Sequence, residues 1–248
     1  MFKAVLAEPD LLKNSIPIIA EILDEATFKI TQNGISLLSP DRAMVSVVDF
    51  KILSTAFEEF KVDKEMEIGL NMANLVAVIK RAKGTDKLSL EATGDKLKIV
   101  ITGDSVRKFD IPLLDVQAET PPVDQLKFEG KVDMESSVIE EGISDAEIIG
   151  DSVFFEAGPT AFRMFSKGET SMKELEMKKG DKQMLGLEAK EKLKSQYPLE
   201  YLKKMIKASR LSQQLTMEFG NDYPLRLSFK TIDKLMLSFI LAPRVQED

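Results

Sequence analysis

Apolar positions along the chain follow two rhythms. In the first, Leu11, Leu12, Ile16, Ile19 and Leu23 share one face at helical spacing. The same rhythm returns over Met72–Ala82 with Leu75, Val76 and Ile79, over Ser136–Asp145, and over Pro198–Ser209 with Leu199, Leu202 and Ile206. In the second, the period is two. It marks Phe2–Leu6, Glu25–Thr31, Ile35–Ser39, Met44–Phe50, Glu65–Asn71, Lys87–Ala92, Lys96–Thr102 and Lys108–Leu113 as strands, and later Leu126–Val132, Gln214–Phe219, Leu225–Lys230 and Lys234–Leu241. Several of these alternate apolar and polar, as half-exposed antiparallel sheet does. Asn33-Gly34 predicts a hairpin turn between two of them. Pro17 removes a backbone donor inside the first helical stretch and predicts a kink or a late start. Pro198 suits the first turn of its helix.

The pattern repeats at an offset of about 127 residues. Val5 falls on Val132, Ile16 on Ile143, Phe28 on Phe155, Ile35 on Phe162, Leu37 on Met164 and Ser39 on Ser166. Leu75 falls on Leu202, Ile79-Lys80 on Ile206-Lys207, and Leu88-Ser89-Leu90-Glu91 on Leu215-Thr216-Met217-Glu218, with small shifts near Gly94 and Gly220. A period this long indicates a duplicated domain, not a solenoid. The joint is Gln117–Leu126, which has two adjacent prolines and no regular period. The expected organisation is one domain over residues 1–116, a connector over 117–126 and a second domain over 127–248, each half α+β with antiparallel sheet and two helices.

Composition narrows the chemistry. The 248 residues are 44% hydrophobic and carry 34 Lys+Arg against 41 Asp+Glu, a net charge of −7, with no Cys, His or Trp. Without Cys there is no disulfide framework, thiolate nucleophile or zinc finger. Without His, the Ser-His-Asp and Cys-His machineries cannot be built. No glycine run has the spacing of a phosphate-cradling loop. For an enzyme this leaves carboxylate-metal chemistry or a Lys nucleophile, and no D-x-D triplet supports the first. The expectation is a non-enzyme with no catalytic residue, metal or cofactor. The chain opens without a signal-peptide pattern and has no apolar run of membrane length, as an intracellular protein would.

Charge is uneven along the helical stretches. Lys80, Arg81 and Lys83 close the second, and Lys203, Lys204, Lys207 and Arg210 fall on or after the fourth. Lys13 lies on the first. All stand off the apolar stripes, which suits sequence-independent phosphate contact; an ordinary solvated face with cations near the helix C-terminus reads the same way. The third helix is the opposite: it carries Glu140, Glu141 and Asp145, and no Lys or Arg. Either it faces away from nucleic acid or its carboxylates pair with basic residues elsewhere.

Ordered segments run the length of the chain: Met1-Phe2-Lys3-Ala4, Asp24-Glu25-Ala26, Asn33-Gly34-Ile35, Ser39-Pro40-Asp41-Arg42, Gly69-Leu70-Asn71-Met72, Ile79-Lys80-Arg81 and Ile111-Pro112-Leu113-Leu114-Asp115. Phe219-Gly220-Asn221, Tyr223-Pro224-Leu225 and the ending Leu241-Ala242-Pro243-Arg244-Val245 complete the set. Together they resemble the proliferating cell nuclear antigen family of DNA sliding clamps, in its archaeal form. The resemblance implies a DNA-clamp fold whose subunits close in threes into a ring around duplex DNA. Such a ring has no catalytic step. It slides, and it tethers polymerase, flap nuclease and ligase during replication and repair.

Carried onto this sequence, the resemblance implies that Lys13, Lys80, Arg81, Lys83, Lys203, Lys204, Lys207 and Arg210 face the DNA. It implies a pocket for a short partner motif, a Gln followed by aliphatic and aromatic anchors, built from Pro40, Met44, Val45, Val47, Pro121, Pro122, Val123, Pro224, Ile240, Ala242 and Pro243. It implies a subunit boundary at Arg81, Lys83, Arg107, Lys108, Asp110, Glu141, Asp145, Lys173, Leu175 and Met177. There Lys108–Leu113 meets a strand near Ser171–Met177 of the next subunit, and Glu141 and Asp145 pair with Arg81, Lys83 and Arg107. The implied partners are double-stranded DNA, self or paralogous subunits, polymerase, nuclease, ligase and clamp loader, with no membrane and a cytoplasmic, nucleoid-associated location. A specialised subunit of a heterotrimeric ring is the alternative, and a carboxylate-metal enzyme the remote one.

Overall fold

The structure, a computed structural model, describes residues 1–116 and 121–244. Residues 117–120 of the predicted connector, and Val245 with the acidic tail beyond it, lie outside the described residues. The described residues divide into two units, one from Met1–Met44, Val48–Pro121 and Thr231–Leu237, the other from Val45–Val47, Pro122–Lys230 and the segment from Ser238.

Alternation becomes antiparallel sheet in the first unit. Its elements are β1 (Phe2–Leu6), α1 (Asp10–Ile19), β2 (Glu25–Thr31), β3 (Gly34–Pro40), β4 (Ser46–Leu53), β5 (Glu59–Val62), β6 (Met66–Asn71), α2 (Met72–Ile79), β7 (Lys87–Thr93), β8 (Lys96–Thr102) and β9 (Val106–Pro112). One sheet has the order β5-β1-β7-β8-β9, and β4-β3-β2-β6 form a second run. The inward residues of these strands, among them Phe2, Phe28, Ile30, Phe50 and Ile99, are buried, and α1 packs against α2. Burial of this apolar surface is the main force holding the unit together.

The second unit repeats the plan with β10 (Gly130–Glu135), α3 (Ser136–Glu147), β11 (Ser152–Ala157), β12 (Ala161–Lys167), β13 (Met172–Lys178), β14 (Met184–Ala189), β15 (Leu193–Pro198), α4 (Leu199–Met205), β16 (Gln214–Phe219), β17 (Leu225–Thr231) and β18 (Leu235–Leu241). Its sheets run β14-β10-β16-β17-β18 and β13-β12-β11-β15. Phe155 centres an aromatic core, with ring centroids 5.5 Å from Tyr197, 5.9 Å from Phe162 and 6.4 Å from Phe219.

Several predicted boundaries move, each for a physical reason. Pro17 neither delays nor breaks α1; it sits in the last turn, and the helix ends two residues later. Leu23 then lies beyond the helix yet remains buried, its N–H donated to the Ile19 carbonyl at 2.9 Å. Pro198 stands before α4 in extended backbone (ψ 128°), paired with Ser152 across the sheet, and is not in the first turn. The fourth helix ends at Met205 and tightens into a 3-10 turn over Ile206–Arg210.

The hairpin between β2 and β3 turns at Gln32-Asn33, because Thr31 pairs with Gly34. Gly34 is needed for a different reason. Its φ is +141°, and a Cβ there would stand 2.1 Å from the carbonyl oxygen of Ile52.

The repeat has two registers. Buried residues of α1 and α3 match at an offset of 127, as Leu12 does with Ile139 and Ile16 with Ile143. The first strands match at 128: Phe2, Ala4 and Leu6 are buried, as are Gly130, Val132 and Met134. Val5 is half-buried, so its match to Val132 is out of phase by one residue, which in a strand reverses the face. After the turns at Gly94 and Gly220 the register is again 128, with Leu97, Ile99 and Ile101 on Leu225, Leu227 and Phe229.

Candidate nucleic-acid and subunit interfaces

In the first unit the basic residues gather at the end of α2. The helix starts where the Asn71 side chain caps it, accepting the Asn74 N–H at 3.0 Å. It buries Met72, Leu75 and Ile79 and releases Lys80, Arg81 and Lys83 to solvent just past its last turn. Lys13 of α1 lies 3.2 Å from Asp10.

A residue outside the predicted site organises this segment. Asp86 is 2% exposed. Its Oδ2 accepts the Lys83 N–H at 2.9 Å and Arg107 Nη2 at 2.6 Å. Arg107 Nη1 donates to the Arg81 carbonyl at 2.9 Å. Gly103 makes room, since a Cβ there would stand 1.9 Å from Asp86 Oδ1. Asp86 thus ties the basic segment to the start of β9. The signal in the sequence is faint: a lone Asp between two polar residues looks solvated.

In the second unit the acidic helix explains itself. α3 packs on α4 and the 3-10 turn after it. Glu147 pairs with Lys203, Asp145 pairs with Lys173 of β13, and Glu140 accepts the Ser209 hydroxyl at 3.1 Å. Three of the four carboxylates of α3 therefore have partners within the unit, and Glu141 is exposed. Lys204 lies 5.4 Å from the Tyr201 ring centroid, and Lys207 and Arg210 follow on the 3-10 turn.

Among the subunit-boundary candidates, Lys108 and Asp110 are exposed on β9, an outer strand of its sheet. Lys173 and Leu175 are half-buried and Met177 is buried on β13, an outer strand of its own sheet. Neither strand has a partner on its outer side among the described residues. Such edges normally need a cover or a mate.

The partner-motif candidates divide between the units. Pro40, Met44 and Pro121 belong to the first; Met44 is 64% exposed with φ +58°. In the second, the Ala242 N–H donates to the Val45 carbonyl at 2.9 Å, bringing those two segments together. Val47, Pro224, Ala242 and Pro243 are half-buried and Pro122 is exposed. Val123 and Ile240 are buried and serve as packing. The Val123 carbonyl accepts Arg226 Nη2 at 3.3 Å, and that guanidinium lies 4.6 Å from the Phe128 ring centroid.

Among the described residues no group of carboxylates could hold a metal ion, and no helix is long and apolar enough to cross a membrane.

Two α+β units of one plan, each with a helix pair on antiparallel sheet, define the DNA-clamp class of fold. The N-terminal domain of proliferating cell nuclear antigen matches residues 1–120 and the C-terminal domain matches residues 122–244. The chain belongs to the proliferating cell nuclear antigen family. It is 35% identical to a DNA polymerase sliding clamp of Pyrococcus horikoshii over 92% of both chains. It is also 35% identical to DNA polymerase sliding clamp 1 of Thermococcus kodakarensis, again over 92% of both. The crystal structure of PCNA from Thermococcus kodakaraensis superposes with a TM-score of 0.90 at 27% identity, covering 98% of this chain and all of that one.

Proposed function

We propose that this chain is a DNA polymerase sliding clamp whose copies close in threes into a ring around duplex DNA. The observation that carries this reading is the likeness to DNA polymerase sliding clamps over 92% of both chains. The ring performs no chemistry. It holds DNA topologically, and its basic side chains exchange among phosphates that look alike at every step, so they retain the duplex without fixing a sequence. The DNA-facing set is Lys13, Lys80, Arg81, Lys83, Lys203, Lys204, Lys207 and Arg210.

The open edges of β9 and β13 pair between neighbouring subunits, with Lys108, Asp110, Leu175 and Met177 along the seam. Glu141, exposed and without a role inside the unit, meets the Arg81, Lys83 and Arg107 cluster of the next copy; Asp145 and Lys173 sit beside it. Polymerase, flap nuclease, ligase and clamp loader dock a short Gln-led motif on the partly exposed residues Val45, Val47, Pro224, Ala242 and Pro243 of the second unit. The protein works inside the cell, on the nucleoid.

Two measurements test this. The solution mass of the purified chain should approach three chains as concentration rises. The chain should also stimulate a polymerase on circular primed template and not on open-ended linear template. Equal stimulation on both would overturn the topological reading. A mass that reaches three chains only with a second gene product would instead make this chain one subunit of a heterotrimer.

A further inference from the structure

The segment after β18 is pinned at three points within the second unit. The Ala242 N–H donates to the Val45 carbonyl at 2.9 Å, and the Arg244 N–H donates to the Gln196 carbonyl of β15 at 2.7 Å. Pro243 between them has no N–H to give and a fixed φ, so the two flanking bonds set the path of the main chain. The third point is ionic: Arg244 Nη1 lies 2.7 Å from Asp151 Oδ1.

Asp151 is well placed to hold it. Its carbonyl accepts the Leu199 N–H at 2.9 Å, where α4 begins. The next residue, Ser152, accepts Gln196 Nε2 at 2.7 Å, and Gln196 is 9% exposed. The ion pair therefore connects the C-terminal segment to the start of β11, which pairs with β15. The hydrogen bond from Arg244 also lowers the Asp151 carboxyl below its ordinary value.

We infer that Asp151 and Arg244 form an electrostatic clasp that positions Ala242–Arg244 to receive a partner peptide. Both side chains are exposed at the surface of the unit, so the pair acts as a positioning device. The inference rests on the partner-motif reading proposed above. A peptide laid along Ala242 and Pro243 binds more tightly when that main chain is ordered beforehand, because less motion is lost on binding. Both side chains are largely open to solvent, 77% and 47%, so the contribution is modest and screened by salt.

The test uses the full chain and a fluorescent synthetic peptide carrying a Gln followed by aliphatic and aromatic anchors. Asp151→Asn and Arg244→Gln should each weaken peptide binding about two- to fivefold at low salt, and the loss should shrink at high salt. The exchanged pair, Asp151→Arg with Arg244→Asp, should recover most of the affinity, while melting temperature and solution mass stay unchanged. Wild-type affinity in both single variants, or no recovery in the exchanged pair, would overturn the clasp. Hydrogen exchange without peptide separates the two readings. The amides of Ala242 and Arg244 should exchange faster in each single variant; unchanged exchange would sink the clasp whatever the peptide does. Faster exchange in a chain whose wild type binds no peptide would keep the clasp as an anchor and reject its role in partner binding together with the pocket.

Discussion

The buried carboxylate of Asp86 stands 2.6 Å from Nη2 of Arg107, and Arg107 in turn reaches the Arg81 carbonyl. A side chain predicted to serve the subunit boundary is thus already committed to its own chain. That commitment ties the Arg81, Lys83 and Arg107 cluster to its own chain. Asp86→Ala removes the acceptor shared by the Lys83 N–H and the Arg107 guanidinium, leaving a partly buried cation without its counter-ion and a backbone donor without its acceptor. The expected loss is about 2–3 kcal/mol of unfolding free energy in denaturant titration. Asp86→Asn keeps one acceptor oxygen and should lose about half as much. A wild-type midpoint for Asp86→Ala would show that the cluster carries no weight.

Tyr197 gives a pH prediction. It is fully buried, and its hydroxyl donates to the Tyr223 carbonyl at 2.7 Å. Burial raises its pKa far above the ordinary tyrosine value. The folded chain therefore keeps a proton that the unfolded chain releases from about pH 10 upward, and stability must fall as pH rises through that range. The chain has three tyrosines and no tryptophan, so ultraviolet absorbance in alkali reads them cleanly. One should ionise only as the protein unfolds. Tyr197→Phe should remove this late step and cost about 1 kcal/mol at neutral pH.

At Gly34, the β2–β3 hairpin was legible from Asn33-Gly34 but the reason for glycine was not. The steric demand comes from the Ile52 carbonyl, a neighbour that local pattern cannot see. Gly34→Ala should therefore destabilise by about 2–4 kcal/mol, more than a turn substitution would, as thermal unfolding can measure. An Ala variant within about 0.5 kcal/mol of wild type would refute the close approach.

The same limit explains which elements the sequence revealed. Strands with one wet face, such as β8 with Leu97, Ile99 and Ile101 inward and lysines outward, were read to the residue. β12 was not found by its period, because its outward Phe165 is apolar and is covered by charged stems: Arg163, Lys167 and Lys194 all lie within 5.7 Å of its ring centroid. β15 was hidden for the opposite reason, since it buries Ser195 and Gln196. In the site, the basic residues were visible as charges off an apolar stripe. Asp86 was not, because nothing local marks a carboxylate whose partners lie three and 21 residues away.

The subunit boundary yields a salt-dependent prediction. Glu141 is exposed while Asp145 is paired with Lys173 in the same unit. Reversing both, Glu141→Lys with Asp145→Lys, should lower the solution mass from the ring toward single chains. Reversing Glu141 alone should produce most of the effect. The loss should be greatest at low salt, where like charges across the seam repel over a longer range. Light scattering across a salt series reads this directly, and a ring indifferent to the double reversal would rule out carboxylates as closing groups.

The pairing of Lys203 with Glu147 separates the basic residues into two kinds. A lysine that already holds a carboxylate must give up that partner before it can take a phosphate, so it releases less counterion on binding. Lys80 and Arg81 stand exposed beyond the end of α2. In a salt series with a short duplex, Lys80→Ala and Arg81→Ala should each reduce the slope of log affinity against log salt by about 0.9. Lys203→Ala should reduce it by less than half as much. Glu147→Gln should act in the other direction, freeing Lys203 and strengthening DNA binding at low salt, and the double variant Glu147→Gln with Lys203→Ala should lose that gain. Equal slopes for Lys80→Ala and Lys203→Ala would mean that α3 does not restrain the basic face. The acidic helix would then need a role other than tuning how tightly the second unit holds the duplex.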